Sequence, residues 1–237
     1  MGDHVAVLLD VLLPRRCAAC SDALPLGHGQ ALCHACHATL QMPVASLCDR
    51  CGIPLPPPLR TCRTCAIRPP AYDTARALGL YLSEAGDLNP LARAVRALKF
   101  HGHRAVGRSL GAALADLVPI PSEALVVPVP LHPSRLRERG YNQALLLARA
   151  LARRCGCPLA SQALVRHRPT PSQATLDAAG RRANLAGAFR ASSVVAGAPV
   201  VLVDDVLTTG ATADACATAL RAAHASRVTV LTVGRTP

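Results

Sequence analysis

A chain of 237 residues, half of them apolar, has room for one large domain or two modest ones. Trp is absent and all aromatics together make up 2% of the chain, which argues against a surface that stacks nucleic-acid bases on rings. The formal charge of +12 comes from 25 Arg and one Lys, Lys99, set against 14 acidic residues. With Ala and Pro also abundant, the Arg bias reads as a GC-rich coding background and carries no functional message.

At the N-terminal end an apolar run over residues 5–13 is broken by Asp10 and is far shorter than the roughly 20 residues of a membrane span. It has no basic lead and no small-residue cleavage site, so no signal peptide is expected. A short amphipathic helix fits it, and the chain is expected to be cytoplasmic.

Cysteines dominate the next stretch. Eight of eleven form four CxxC pairs: Cys17 with Cys20, Cys33 with Cys36, Cys48 with Cys51, and Cys62 with Cys65. Each pair aims two sulfurs at one ion, and two pairs complete a tetrahedral four-thiolate zinc site. Gaps of 12, 11 and 10 residues between successive pairs suit a zinc ribbon. Disulfides fit a cytosolic chain poorly, and no ferredoxin-like cysteine run is present. One or two structural zinc ions are expected, because few apolar residues separate the pairs and the segment needs a staple. Spacing leaves open which pairs share an ion. Cys155, Cys157 and Cys216 fit as small core residues.

Ile67-Arg68-Pro69-Pro70 reads as a stiff linker, giving a zinc-binding module over residues 1–70 and a second domain over 71–237. In the second domain short apolar runs alternate with helical patterns. Strands are predicted at 77–82, 125–129, 200–204 and 228–233, with a weaker one near 163–165. Helices are predicted at 88–99, 106–117, 142–154 and 211–223. This alternation predicts an α/β fold with a parallel sheet flanked by helices, whose ligands sit at the carboxyl ends of strands. Charge is concentrated there: residues 135–190 hold eleven Arg against Glu138 and Asp177, a net of +9, which suggests an anionic partner.

The stretch Val200-Val201-Leu202-Val203-Asp204-Asp205-Val206-Leu207-Thr208-Thr209-Gly210-Ala211-Thr212 carries the chemistry. It is an apolar strand, two carboxylates, then a hydroxyl- and glycine-bearing turn that opens a helix. Backbone N–H groups and the positive helix end make a phosphate cradle, and no Walker A pattern competes with it. Two carboxylates beside a phosphate site match the vicinal hydroxyls and 5′-phosphate of a ribose phosphate.

This stretch resembles the phosphoribosyl pyrophosphate (PRPP) signature of type I phosphoribosyltransferases. Further segments make the chain similar to the ComF family, which places an N-terminal zinc module before a phosphoribosyltransferase domain. They are Leu98-Lys99-Phe100-His101-Gly102, Pro128-Val129-Pro130-Leu131-His132, Arg135 through Gln143, Arg166 through Gln173, and Arg181-Arg182-Ala183-Asn184. The resemblance implies that Asp204 and Asp205 bind ribose hydroxyls and that Thr208, Thr209, Gly210, Ala211 and Thr212 hold the 5′-phosphate. Pro130, Leu131, His132 and Arg135 would border the pyrophosphate, bridged by Mg²⁺, with Arg137 and Arg139 close behind. Arg166 and Arg168 would act as catalytic residues on a mobile lid, stabilising departing pyrophosphate. His101 and His103 receive no role.

Two functions follow from the resemblance. One is a PRPP-binding protein linked to natural transformation and single-stranded DNA uptake, with DNA-uptake and recombination proteins as partners. The other is an active phosphoribosyltransferase of nucleotide metabolism acting on an unidentified base or amine.

Overall fold

The computed structural model describes residues 15–26, 28, 30–40, 46–84, 87–100, 104–168, 180 and 184–237. The helix expected at 5–13, both His101 and His103, and segments 169–173 and 181–183 lie outside these residues.

The cysteine-rich part contributes two one-turn helices, α1 (His34–Ala38) and α2 (Arg63–Ile67), and a short antiparallel ladder of β1 (Ser46–Leu47) with β2 (Pro54–Leu55). There follow β3 (Thr74–Leu80), a small ribbon of β4 (Ser83–Glu84) with β5 (Asp87–Leu88), and helices α3 (Pro90–Phe100) and α4 (Arg104–Ala113). The second half runs β6 (Leu125–Pro128), α5 (Pro133–Arg139), α6 (Gln143–Cys155), β7 (Leu164–Arg166), β8 (Phe189–Ala191), β9 (Pro199–Leu207), α7 (Ala211–Ala222) and β10 (Arg227–Arg235).

Four strands make the central sheet in the order β3-β10-β9-β6, all parallel. Their β-branched residues alternate between two buried faces, as a sheet covered on both sides requires. Val201 and Val203 of β9 join Leu231 and Val233 of β10 under α3, α4 and α6, where Leu98, Leu147 and Leu151 are fully buried. Val200, Leu202, Val228 and Val230 face the other way, onto Cys216 and Leu220 of α7 and onto Leu164 and Leu185. Each fully buried Leu contributes about 2 kcal/mol by removal from water. The expected weak strand near 163–165 is present as β7, but it pairs antiparallel with β8 and stands apart from the main sheet. The chain doubles back after Arg166 and lays Phe189 beside it, which fixes that pairing.

The cysteine-rich segment does not hang free. Cys17, Leu24, Leu32, Cys36 and Leu40 belong to the same buried cluster as Leu91 and Leu98. The Ala31 N–H also donates to Ser109 Oγ on α4 at 3.1 Å.

Candidate functional site

The strand carrying the acidic pair continues to Leu207, three residues further than its sequence pattern predicts. Its neighbour β6 stops with Pro128 opposite Val203, and the Val129 N–H to Val203 carbonyl bond of 2.9 Å is the last link on that side. On the other side β10 stays paired as far as Leu207. Asp204 and Asp205 are therefore the first residues of β9 whose β6-side flank is open, the kind of crevice in which parallel sheets hold ligands.

Successive strand residues face opposite sides, and that separates the two carboxylates. Asp205 shares its side with Val201 and Val203, and Lys99 of α3 reaches it there, Nζ lying 3.0 Å from Oδ1. Asp205 is only 4% exposed, and its second oxygen, Oδ2, is buried with no hydrogen-bond partner. Burial works to lower the Lys99 ammonium, but the facing Asp205, with Asp204 behind it, leaves its pKa raised. Asp204 accepts the Asp205 N–H at 2.8 Å. Burial first, then the Asp205 charge, push the Asp204 carboxyl up to about 7, against the opposing pull of the Asp205 N–H, Lys99 and Arg139. One carboxylate thus has a cation beside it and the other takes up a proton near neutrality.

Sequence reading gave Lys99 no role. The sequence offered one weak signal, a single Lys among 25 Arg, and it names no partner.

Beyond Leu207 the turn is held from beneath by Arg235, itself only 8% exposed. Its guanidinium donates to the carbonyls of Leu207 at 3.1 Å and Thr208 at 2.7 Å, and to that of Thr236. Gly210 has φ +80°, a conformation side chains rarely adopt, and caps the N-terminus of α7. Thr209 Oγ1 accepts from the Ala211 N–H at 3.4 Å. Thr208, Thr209, Gly210 and Ala211 together line a cavity of about 570 Å³, and Thr212 stands in the first turn of α7.

The residues after β6 have a different setting. Pro130 and Leu131 line a second cavity, of about 550 Å³, with Arg166 and Tyr141. His132 caps α5, its Nδ1 accepting from the Ser134 N–H at 3.3 Å. Arg135 pairs with Glu138 at 2.8 Å on the surface, and Arg137 is exposed. Arg139 lies 5.1 Å over the Phe100 ring, donates to Gln143, and keeps its Nε buried with no acceptor. Arg166 lies 5.7 Å over the Phe189 ring, and burial lowers its pKa. Arg168 donates to the carbonyls of Asn184 at 2.9 Å and Ala186 at 2.7 Å, bracing the far end of the segment it opens.

The eight paired cysteines form two separate clusters, Cys17, Cys20, Cys33 and Cys36, and Cys48, Cys51, Cys62 and Cys65. First pair joins second and third joins fourth, which the spacing had left open. Within each cluster the sulfurs lie within 4.8 Å of one another, with Cys20–Cys33 and Cys51–Cys62 at 3.7 Å. A tetrahedral ion with bonds of about 2.3 Å sets its sulfurs about 3.8 Å apart, so the donor sets fit zinc. Cys33 and Cys62 N–H groups point at Cys17 and Cys48 sulfurs at 3.3 and 3.4 Å. Burial resists ionising Cys48, but N–H groups of Cys51, Cys62 and Arg50 outweigh it and bring its pKa down to about 7. With four thiolates each site is closed, the arrangement of a structural zinc. Cys155, Cys157 and Cys216 join neither cluster.

A parallel sheet with an acidic pair beside a glycine-capped helix, preceded by two four-cysteine clusters, defines a phosphoribosyltransferase-fold protein with a zinc-ribbon module. Comparisons agree: residues 8–66 match the double zinc ribbon domain and residues 142–236 the phosphoribosyl transferase domain. The DNA utilization protein YhgH of Salmonella typhi is 34% identical over 94% of this chain and 98% of its own. Competence protein F of Haemophilus influenzae is 31% identical over 87% of this chain and 90% of its own. The chain belongs to this ComF family. Among solved structures, the B. subtilis glutamine PRPP amidotransferase complexed with ADP and GMP aligns at 22% identity, covering 64% of this chain and 29% of that one, with a TM-score of 0.38. Among the described residues no helix is long and apolar enough to cross a membrane.

Proposed function

We propose that this chain binds PRPP or a related sugar phosphate at the carboxyl end of β9 and acts in the cytoplasm in the handling of single-stranded DNA during natural transformation. The acidic pair at the open carboxyl end of β9, followed at once by the glycine-capped turn into α7, carries the sugar-phosphate reading. Asp204 and Asp205 would face the ribose hydroxyls, and Thr208 to Thr212 would cradle the 5′-phosphate. Mg²⁺ held on the ligand's pyrophosphate would neutralise charge as it leaves. Arg166 and Arg168 would contribute to the same end from the base of the segment they open.

The experiment is a titration of Mg-PRPP into the full zinc-loaded chain. Asp204→Asn and Asp205→Asn should each weaken binding by about 10- to 100-fold; unchanged affinity in both would remove the acidic pair from the site. Release of pyrophosphate with a pool of nucleobases and amines would add catalysis to binding.

The DNA part rests on the names of the relatives and on charge. Arg135, Arg137, Arg149, Arg153, Arg154, Arg168 and Arg190 are all exposed, giving a basic surface suited to a polyanion. Single-stranded DNA binding should fall steeply with salt, and reversing Arg149, Arg153 and Arg154 to Glu should abolish most of it. DNA affinity equal to wild type in that variant would sink this assignment.

A further inference from the structure

The 570 Å³ cavity beside the phosphate loop has a wall the sequence does not anticipate. Thr64 and Arg68, on and just after the one-turn helix of the second cysteine cluster, line it together with Thr208 and Thr209, and so do Cys62 and Cys65 themselves. The fourth CxxC pair and the loop between β9 and α7 are thus two sides of one space.

One buried side chain ties the two sides together. Arg235, at the end of β10, donates through Nη1 to the carbonyls of Leu207 and Thr208 in the loop. Through Nε it donates to the Cys51 carbonyl at 3.2 Å, and Nη2 lies 4.0 Å from the Cys51 sulfur. A single planar fork therefore sets loop carbonyls and a zinc-ligand residue in register. Two more contacts repeat the link. Tyr72, 3% exposed, puts its hydroxyl against Gly210. The Ala71 N–H, four residues after the cluster's α2 ends, donates to Asp214 Oδ1 on α7 at 2.7 Å.

We propose that the second four-cysteine site and the phosphate loop form one composite ligand site joined by Arg235, so that zinc in the cluster and a phosphorylated sugar in the cavity stabilise each other. The inference rests on the sugar-phosphate reading and extends it: Asp204 and Asp205 do not line this cavity, so it takes the phosphate end of the ligand, to which Thr64 and Arg68 of the zinc module offer a hydroxyl and a cation. Coupling between two sites is reciprocal. If zinc orders the wall against which the ligand rests, the ligand must tighten zinc binding by the same free energy, and slower zinc release is the expected sign of it. Arg235 is a positioning residue here, acting through the carbonyls it holds. The first cluster, which does not line this cavity, is the internal control.

The test uses the full zinc-loaded chain, a chromogenic chelator, and saturating Mg-PRPP or ribose 5-phosphate, with their binding measured separately by calorimetry. Two zinc-release phases are expected, one of them slowed about fivefold or more by ligand and the other unaffected. The slowed phase should vanish from a Cys62→Ala/Cys65→Ala variant, which has only the first site. Arg235→Lys, which keeps the charge and loses the fork, should bind ribose 5-phosphate about tenfold more weakly and lose the ligand-induced slowing. If neither compound binds wild type, the sugar-phosphate reading falls, and this inference with it. If either binds and both release phases are unchanged, or both slow equally, the composite site is overturned while the sugar-phosphate reading stands. The wild-type comparison decides the matter even if Arg235→Lys fails to fold.

Discussion

The two cysteine clusters repeat one motif and meet the rest of the molecule in opposite ways. In the first, Cys17 and Cys36 are buried with Leu24, Leu32 and Leu40 in the cluster that also holds Leu91 and Leu98 beneath the sheet. In the second, Cys48, Cys51 and Cys65 make a small apolar cluster of their own. That one is fastened to the sheet by polar links instead. Ala75 N–H donates to the Arg50 carbonyl at 2.6 Å, Thr74 Oγ1 to the Asp49 carbonyl at 2.8 Å, and Arg76 to the Cys48 carbonyl at 3.3 Å. The residues between the pairs explain the difference. Leucines separate Cys20 from Cys33, while prolines crowd the gap from Cys51 to Cys62. The same four-thiolate unit is part of the core in one place and a hydrogen-bonded wall in the other.

Removing one ligand from each cluster separates the two modes of attachment. Cys36→Ser and Cys65→Ser should each lose one zinc by metal analysis. Cys36→Ser should also lose its cooperative thermal transition, a cost of about 5 kcal/mol or more, because the metal stabilises a segment that shares the main core. Cys65→Ser should keep the main transition and lose about 1–2 kcal/mol. Equal losses in both variants would show that the polar fastening matters as much as the apolar one.

A smaller effect probes the sheet face on the first cluster's side. Lys99→Met leaves Asp205 buried without its counter-charge, which should cost about 3 kcal/mol in urea unfolding. Adding Asp205→Asn to that variant should recover most of the loss, since the penalty lies in the uncompensated charge. If the double variant is as unstable as the single one, Lys99 contributes through its packed stem and the ion pair is incidental.

Much of this was legible in the sequence because it is local. Four CxxC pairs, β-branched runs and a strand-acid-acid-turn pattern each report on neighbours within a few residues. The contacts between distant segments were not legible. Nothing near residue 99 announces Asp205, and nothing near residue 235 announces Cys51, because both pairings arise only once the sheet order brings β10 between β3 and β9. Periodicity also ended β9 at Asp204, since two charges look like a strand's end. The strand continues because β10 stays paired with it as far as Leu207, while Lys99 meets the charge of Asp205 and leaves Asp204 without a cation of its own among the described residues.

The Lys99 contact makes the two aspartates unequal, and pH should expose it. Asp204 has a folded-state pKa of about 7, above the ordinary 3.8, so the folded chain binds more protons than the unfolded chain between those values. Its contribution to stability is then fully present below about pH 4 and is lost as pH rises through about 7. Asp204→Asn should remove that part of the slope and unfold at higher urea than wild type above neutrality. Ligand affinity should run the other way, because only the ionised carboxylate is a full acceptor for sugar hydroxyls. Ribose 5-phosphate should bind wild type about tenfold more weakly for each pH unit below about 7. The ligand's own phosphate titrates near pH 6, so the measurement is the difference between wild type and Asp204→Asn at each pH. Parallel profiles would mean that Asp204 does not change charge in this range and that the two carboxylates are equivalent after all.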